Sequence, residues 1–333
     1  MAKVKELPGV AIIGCGLIGR KRAMSIEGAR IAACADVQEE RASSLAAECG
    51  ARLAVRDWRE AVGHPSVRIV IVSTVNNSLA EITLGAAQAG KHVLVEKPAG
   101  RSASELAPAA AAADKNHVKV RVGFNHRYHP GLLQAREWVQ GGAIGELMFV
   151  RGRYGHGARP GYDSEWRMNP QISGGGEMID QGVHLIDLSR MFLGDFAEAA
   201  GLATTLFWNT SADDNAFMTL RTESGKVAFL HASCTEWKNL FSFEIYGKTG
   251  KIHVEGLGGS YGVERATLYK MLPQMGPPDT QCFEFPRGDE SWKTEFREFL
   301  KDIYENRTVS PGLRDAIEVL KIVEKITRQS GKG

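Results

Sequence analysis

The stretch that most constrains this chain lies near its start, between Val10 and Asp36. An apolar run from Val10 to Ile13 meets Gly14-Cys15-Gly16-Leu17-Ile18-Gly19, and a helical pattern begins at once. A second apolar run, Ile31 to Ala35, then ends at Asp36. The order is strand, tight turn, helix, strand, with an acid at the tip of the second strand. The three glycines differ in what they do. Gly14 makes the turn, Gly16 lets the backbone approach a pyrophosphate, and Gly19 lets helix and strand pack closely. The free N–H groups at the helix start, around Leu17 and Ile18, and the positive end of the helix dipole face the phosphates. Asp36, seventeen residues after Gly19, is placed to accept hydrogen bonds from ribose hydroxyls. Its carboxylate repels a 2′-phosphate, so the expected cofactor is NAD rather than NADP, with Arg41 offering partial compensation. A lone GxGxxG is a common glycine turn, and it is the flanking strands and the acid that make this one specific.

Bulk properties bound the rest. A length of 333 residues suggests about two domains. With 43% hydrophobic and 24% charged residues, the composition is that of a soluble globular protein with ample core. A net charge of +2 gives no reason to expect a nucleic-acid partner. No apolar run approaches the ~20 residues of a membrane span. The opening MAKVKELPGV lacks the apolar centre of a secretory signal. Five cysteines without a CxxC pair suggest small buried residues in a reduced, cytoplasmic chain.

Along the chain, apolar strands alternate with helices as far as Phe124. Helices are expected over Glu39–Cys49, Trp58–Val62, Ala80–Ala89 and from a Ser102 cap to Asp114, with strands at 53–55, 68–74, 92–95 and 118–124. That alternation implies a parallel sheet covered on both faces, a dinucleotide-binding domain over residues 1–124. Ligands of such sheets sit at the carboxyl ends of the strands. Gly14, Asp36, Thr74, Asn76, Glu96, Lys97 and Asn125 all fall at such ends. A second, α+β domain is expected over 125–333, its closing helices at 292–305 and 313–327 packing back on the first. It opens with a helix at 130–140, a strand at 147–154 and an Arg-, Gly- and Tyr-rich loop at 156–169. Three glycines then lead into one long helix, Glu177–Phe192, followed by strands with short turns that imply a mainly antiparallel sheet. Residues 256–285, rich in Gly and Pro, give no clear pattern.

Asp180 and His184 lie four apart in that long helix, hence on one face. His184 has an ordinary pKa near 6.5 and can trade protons at neutral pH. Gly182 between them costs about 1 kcal/mol against alanine, which suits a place where something must approach closely. Taken singly, a helix histidine or a lysine before proline is more often structural or solvated than catalytic. Arg127, Tyr154, Tyr162, Trp166, Arg167 and Asp180 are candidate substrate contacts, together with Arg151, Arg153, His156 and Arg159. Arginine forks suit carboxylates or phosphates, and aromatic rings stack on sugar faces. Pairing of these arginines with Asp163, Glu165 and Glu146 is an equal alternative. No set of residues reads as a metal site, and His126 and His129 are better explained as hydrogen-bond partners of a polyol.

AIIGCGLIG, GKHVLVEKPAG and GGGEMIDQGVHLIDL, in that order, resemble the Gfo/Idh/MocA family of glucose–fructose oxidoreductase and inositol dehydrogenase. RDW and GFNHRYHP resemble it as well, so the likeness covers nearly the whole chain. One departure is Val75 and Leu79, where the family often carries proline and histidine. The resemblance implies a Rossmann domain joined to an α+β domain with a large open sheet that often forms the oligomer interface. A homodimer or homotetramer is therefore expected. It also implies Lys97, Asp180 and His184 as the catalytic set, acting on a sugar, cyclitol or nucleotide-linked or acidic sugar. Two rivals remain: a hydrolase that oxidises its substrate transiently with bound NAD, and a non-catalytic NAD sensor. The Lys97–Pro98 bond is expected to be cis.

Overall fold

The computed structural model describes residues 7–332. The chain divides into two compact units, one reaching Phe124 and resuming at Trp292–Ile317, the other formed by Asn125–Ser291 with the residues from Glu318 onward.

In the first unit the alternating pattern builds β1 (Gly9–Ile13), α1 (Leu17–Met24), β2 (Arg30–Ala35), α2 (Glu39–Cys49), β3 (Leu53–Val55) and α3 (Trp58–Gly63). It continues with β4 (Val67–Val72), α4 (Asn76–Gln88), β5 (His92–Glu96), α5 (Ala103–Lys115) and β6 (Val120–Gly123). The strands form one parallel sheet in the order β3-β2-β1-β4-β5-β6. The order reverses beside β1, where open α/β sheets bind their ligands. Local signals stop and start the helices as their chemistry requires. Gly50 ends α2 in a left-handed conformation at φ 69°, and Ser102 caps α5 by accepting from the Glu105 amide at 3.3 Å. Helix α4 begins at Asn76 rather than at Ala80, so the polar Asn76-Asn77-Ser78 is a first helical turn and not a loop. Phe296, Phe299 and Leu300 join Val10, Ile12, Leu45 and Ile71 in this unit's core.

The second unit contains α6 (Pro130–Gln140), β7 (Leu147–Gly155), α7 (Pro170–Ser173) and α8 (Val183–Leu193). Then come β8 (Glu198–Thr204), β9 (Asn215–Arg221), β10 (Val227–Ser233), β11 (Leu240–Gly247), β12 (Gly250–Glu255), β13 (Glu264–Lys270) and β14 (Asp279–Phe285). Helix α9 (Ser291–Tyr304) belongs to the first unit from Trp292 on, and α10 (Leu313–Gln329) belongs to the first unit as far as Ile317 and to the second from Glu318. The eight strands form one sheet, β14-β13-β12-β11-β7-β10-β9-β8, antiparallel except where β10 pairs with β7. One face is buried: Gly152 of β7 leaves just enough room for Leu185 of α8, whose δ carbon would stand 3.0 Å from an added Cβ. The opposite face is open. Leu202, Phe217 and Phe229 lie exposed on it, Phe149 stacks on Tyr246 at 4.2 Å and Phe217 stacks on His231 at 4.4 Å.

The segment 256–285, which gives no clear pattern in sequence, contains β13 and β14. The helix expected after the glycine run is not uniform: Met178–Gly182 is a π-turn set between Glu177 and the α-helix Val183–Leu193. Gly182 faces the sheet, where an added Cβ would lie 3.3 Å from Met218 and 3.5 Å from Ala232.

Candidate active site

At the carboxyl end of β1 the three glycines have distinct surroundings. Gly14 takes φ +89° and lies so close to β4 that a Cβ would stand 2.6 Å from the Ser73 carbonyl oxygen. Gly19 leaves no room for one either, because it would collide with the Gly14 carbonyl. Gly16 differs: no atom lies within 4 Å of its missing Cβ. That open backbone at the N-terminus of α1, where Leu17 and Ile18 begin the helix, is a cradle fitted to a phosphate group. Asp36 is tied into the turn, accepting from the Cys15 amide at 2.8 Å and the Gln38 amide at 2.9 Å. These bonds hold its carboxylate at the rim. Thr74 accepts from the Ser78 hydroxyl at 2.9 Å, and Asn76 is buried at the head of α4. Leu79 is wholly buried in the core.

Lys97 follows the end of β5, and the Lys97–Pro98 bond is cis, as expected. Glu96 is expected to touch the cofactor, but the structure uses its carboxylate elsewhere. Oε1 accepts from Arg22 Nε at 2.6 Å, and Glu96 is 7% exposed. Arg22 also pairs with Glu295 of α9 and lies 4.2 Å from the Trp292 ring. Gly123 makes space for this guanidinium, which would stand 2.5 Å from an added Cβ. Burial raises the Glu295 carboxyl, with Arg22 opposing.

In the second unit, the glycine run shapes the entry to the π-turn. Gly174 adopts φ +84°, and a Cβ on Gly176 would collide with the Asp213 backbone. The Asp213 carboxylate accepts from the Gly176 amide at 3.0 Å and the Met178 amide at 2.7 Å. Burial pushes this carboxyl up to about 6, although those two amides pull it down. His184, 4% exposed, lies flat against His126, with ring centroids 3.8 Å apart. Tyr154 approaches both rings edge-on, at 4.9 and 6.0 Å. Asp180 faces Arg167 Nε at 3.3 Å, and that guanidinium covers the Trp166 ring at 4.6 Å. Tyr162 donates to Glu177 Oε1 at 3.1 Å. His156 Nδ1 accepts from the Ala158 amide at 3.0 Å, so Nε2 carries the hydrogen and points it at Glu177, 3.3 Å away.

The structure thus brings Tyr154 and His184 together around His126, and Tyr162, Trp166, Arg167 and Asp180 together beside Glu177. Asn125 sits next to His126, its Oδ1 3.3 Å from Nδ1, and donates to Ser291 at 2.9 Å. Arg127 is corrected. It forms a two-bond pair with Asp187 of α8, at 2.7 and 2.6 Å, and is buried, so its fork is filled. His129 is likewise held by Glu264 at 3.0 Å. Arg151 and Arg153 point to the open sheet face, and Arg151 pairs with Glu244 at 2.6 Å. Arg159 and Arg167 pair with Glu165, whereas Glu146 takes Lys248 instead. Glu177, Asp213, Arg22 and Glu295 escape a reading of the sequence. The one signal for Glu177 is an acid set directly between a glycine run and an apolar helix.

Among the described residues, no group of three or more His, Cys, Asp or Glu is arranged to hold a metal ion.

Residues 9–124 match the oxidoreductase family with an NAD-binding Rossmann fold, and residues 132–253 match the Gfo/Idh/MocA C-terminal domain. The 1,5-anhydro-D-fructose reductase of Ensifer adhaerens is 30% identical over 72% of this chain and 74% of its own length. The chain belongs to the Gfo/Idh/MocA family of oxidoreductases. The levoglucosan dehydrogenase of Pseudarthrobacter phenanthrenivorans is 27% identical over 90% of this chain and 87% of that protein. The inositol 2-dehydrogenase of Rhizobium meliloti is 25% identical over 95% of both. A solved levoglucosan dehydrogenase in complex with NADH and levoglucosan superposes with a TM-score of 0.89, at 25% identity and 98% coverage of both chains. Membership agrees with the cradle: the open Gly16 and the stapled Asp36 belong to an NAD-binding Rossmann unit.

Proposed function

We propose that this oxidoreductase interconverts a secondary alcohol and a ketone on an uncharged cyclic polyol or sugar, with NAD as its redox partner. Gly14, Gly16, Leu17, Ile18 and Gly19 would hold the pyrophosphate, Asp36 the adenosine ribose, and Thr74, Asn76, Lys97 and Asn125 the rest of the dinucleotide. When bound, NAD supplies the hydride acceptor at its nicotinamide C4.

His184 takes the alcohol proton in oxidation and returns it in reduction. Its burial on α8 gives the proton a fixed, dry acceptor. Lys97 donates a hydrogen bond to the reacting oxygen and stabilises the negative charge that develops there. Asp180, held by Arg167, accepts from a neighbouring substrate hydroxyl and sets the ring's orientation. Tyr154 and Trp166 supply aromatic faces for a polyol, whereas Tyr162, packed with Met168, Ala212 and Cys234 and donating to Glu177, is corrected from a substrate contact to a support for Glu177.

The observation that carries the uncharged substrate is the state of the arginines. Arg127, Arg159 and Arg167 each already face a carboxylate of their own unit. A sugar acid or nucleotide sugar would have to break such a pair. The relatives that act on inositol and levoglucosan support the same class. The open sheet face, with Phe149, Leu202, Phe217 and Phe229, supports assembly into a homodimer or homotetramer. The five free cysteines support a reducing, cytoplasmic setting.

The test is NADH formation across inositols, anhydrosugars, free sugars and sugar acids, with NADP in parallel. NADH appearing with a neutral cyclic polyol is expected. Turnover confined to sugar acids would overturn the substrate class. NAD binding without NADH, but with release of free sugar from glycosides, would replace the dehydrogenase by the hydrolase.

A further inference from the structure

His126 lies on a short 3-10 turn, Asn125–Tyr128, and His184 on the first turn of α8. Their rings stack with centroids 3.8 Å apart and planes 30° apart, and the two residues are 5% and 4% exposed. Asn125 fixes the tautomer of His126. Its Nδ2 donates to Ser291 at 2.9 Å, which leaves Oδ1 facing His126 Nδ1 at 3.3 Å, so that nitrogen carries the hydrogen.

From β7, Tyr154 meets both rings, and from β11, Phe241 stands 5.8 Å from His126. His129 is 5.5 Å away with its own acids, Glu264 and Asp289. Asp180 faces Arg167, and Asp187 is engaged by Arg127.

We propose that His126 is a positioning residue for His184, the two forming a stacked pair that holds one proton where separate histidines would hold two. This rests on the reading of His184 as the proton acceptor. Two imidazolium rings at this spacing, in a buried place, repel each other without water to screen them. Sites coupled so closely titrate as a pair. When His184 takes the substrate's proton, the face of neutral His126 lies against the new cation and stabilises it. The same ring stops His184 from turning away from the alcohol.

The experiment is an NMR titration of the wild-type protein with 15N-labelled imidazoles and no substrate, between about pH 5 and 8. The two histidines should shift together and take up a single proton. Two independent one-proton titrations would overturn the proposal. In His126→Phe, which keeps a flat ring, His184 should titrate alone as a simple site. With a substrate in hand, that variant should lose about tenfold in kcat while KM stays within about twofold. A raised KM with unchanged kcat would make His126 a substrate contact instead. If no polyol is turned over, the dehydrogenase reading fails, and the wild-type titration still decides the pair.

Discussion

Arg22 of α1 and Glu96 of β5 form a buried ion pair directly before Lys97, with Arg22 Nε 2.6 Å from the carboxylate. The same guanidinium pairs with Glu295 of α9. One cation thus joins the helix behind the glycine turn, the strand that ends at the lysine, and a helix from the far end of the sequence. Arg22→Ala should destabilise the protein by about 3–5 kcal/mol, because it leaves two carboxylates buried without their cation. Glu295→Gln should cost within about 1 kcal/mol, since burial penalises the charge it removes and the amide oxygen can still accept from Arg22. Urea unfolding of both variants checks the contrast, and equal losses would refute it.

The glycine turn separates folding from binding. Gly19→Ala should lower both stability and NAD affinity, because its Cβ meets the Gly14 carbonyl. Gly16→Ala should leave the melting temperature nearly unchanged, because a Cβ there meets open space, yet lower NAD affinity at least about tenfold if the proposed pyrophosphate site lies there. Calorimetric titration with NAD beside thermal melts distinguishes the two.

Asp213 predicts a pH dependence with a definite sign. Its carboxyl is raised from the ordinary 3.8 to about 6 in the folded state. Between those values the folded protein holds a proton that the unfolded chain has released, so its contribution is full below pH 3.8 and is lost as pH rises through about 6. The loss amounts to roughly 3 kcal/mol. Comparison of unfolding free energies across that window for wild type and Asp213→Asn should show this component of the slope only in the wild type.

Arg127→Met should act on stability rather than on substrate affinity. Removing it takes from Asp187, 1% exposed, the guanidinium that makes two hydrogen bonds to its buried carboxylate, at a cost of about 3–5 kcal/mol. KM for the preferred polyol should change less than about threefold in the folded variant. A large rise in KM with little loss of stability would return Arg127 to the substrate site.

How much of this is legible in the sequence follows from the range of each interaction. The glycine turn, Asp36 and the end of β5 are read from neighbouring residues, and the structure has them where the spacing predicts. The last strand, β14, escapes notice for a local reason. The segment Asp279–Phe285 is an almost wholly exposed edge strand, so it carries no apolar face to betray it. The π-turn has no sequence period of its own to separate it from an α-helix. Arg127 misleads because an arginine in a polar motif reads as a ligand fork, and its partner Asp187 lies sixty residues away. Glu96 misleads for the same reason, with Arg22 seventy-four residues before it.

The most direct test of the proposed chemistry is His184→Ala, with turnover of the preferred polyol and NAD affinity measured on the same preparation. Loss of kcat by a factor of about 10²–10⁴ is expected, with NAD affinity within about twofold of wild type. Turnover equal to wild type would remove His184 from the reaction.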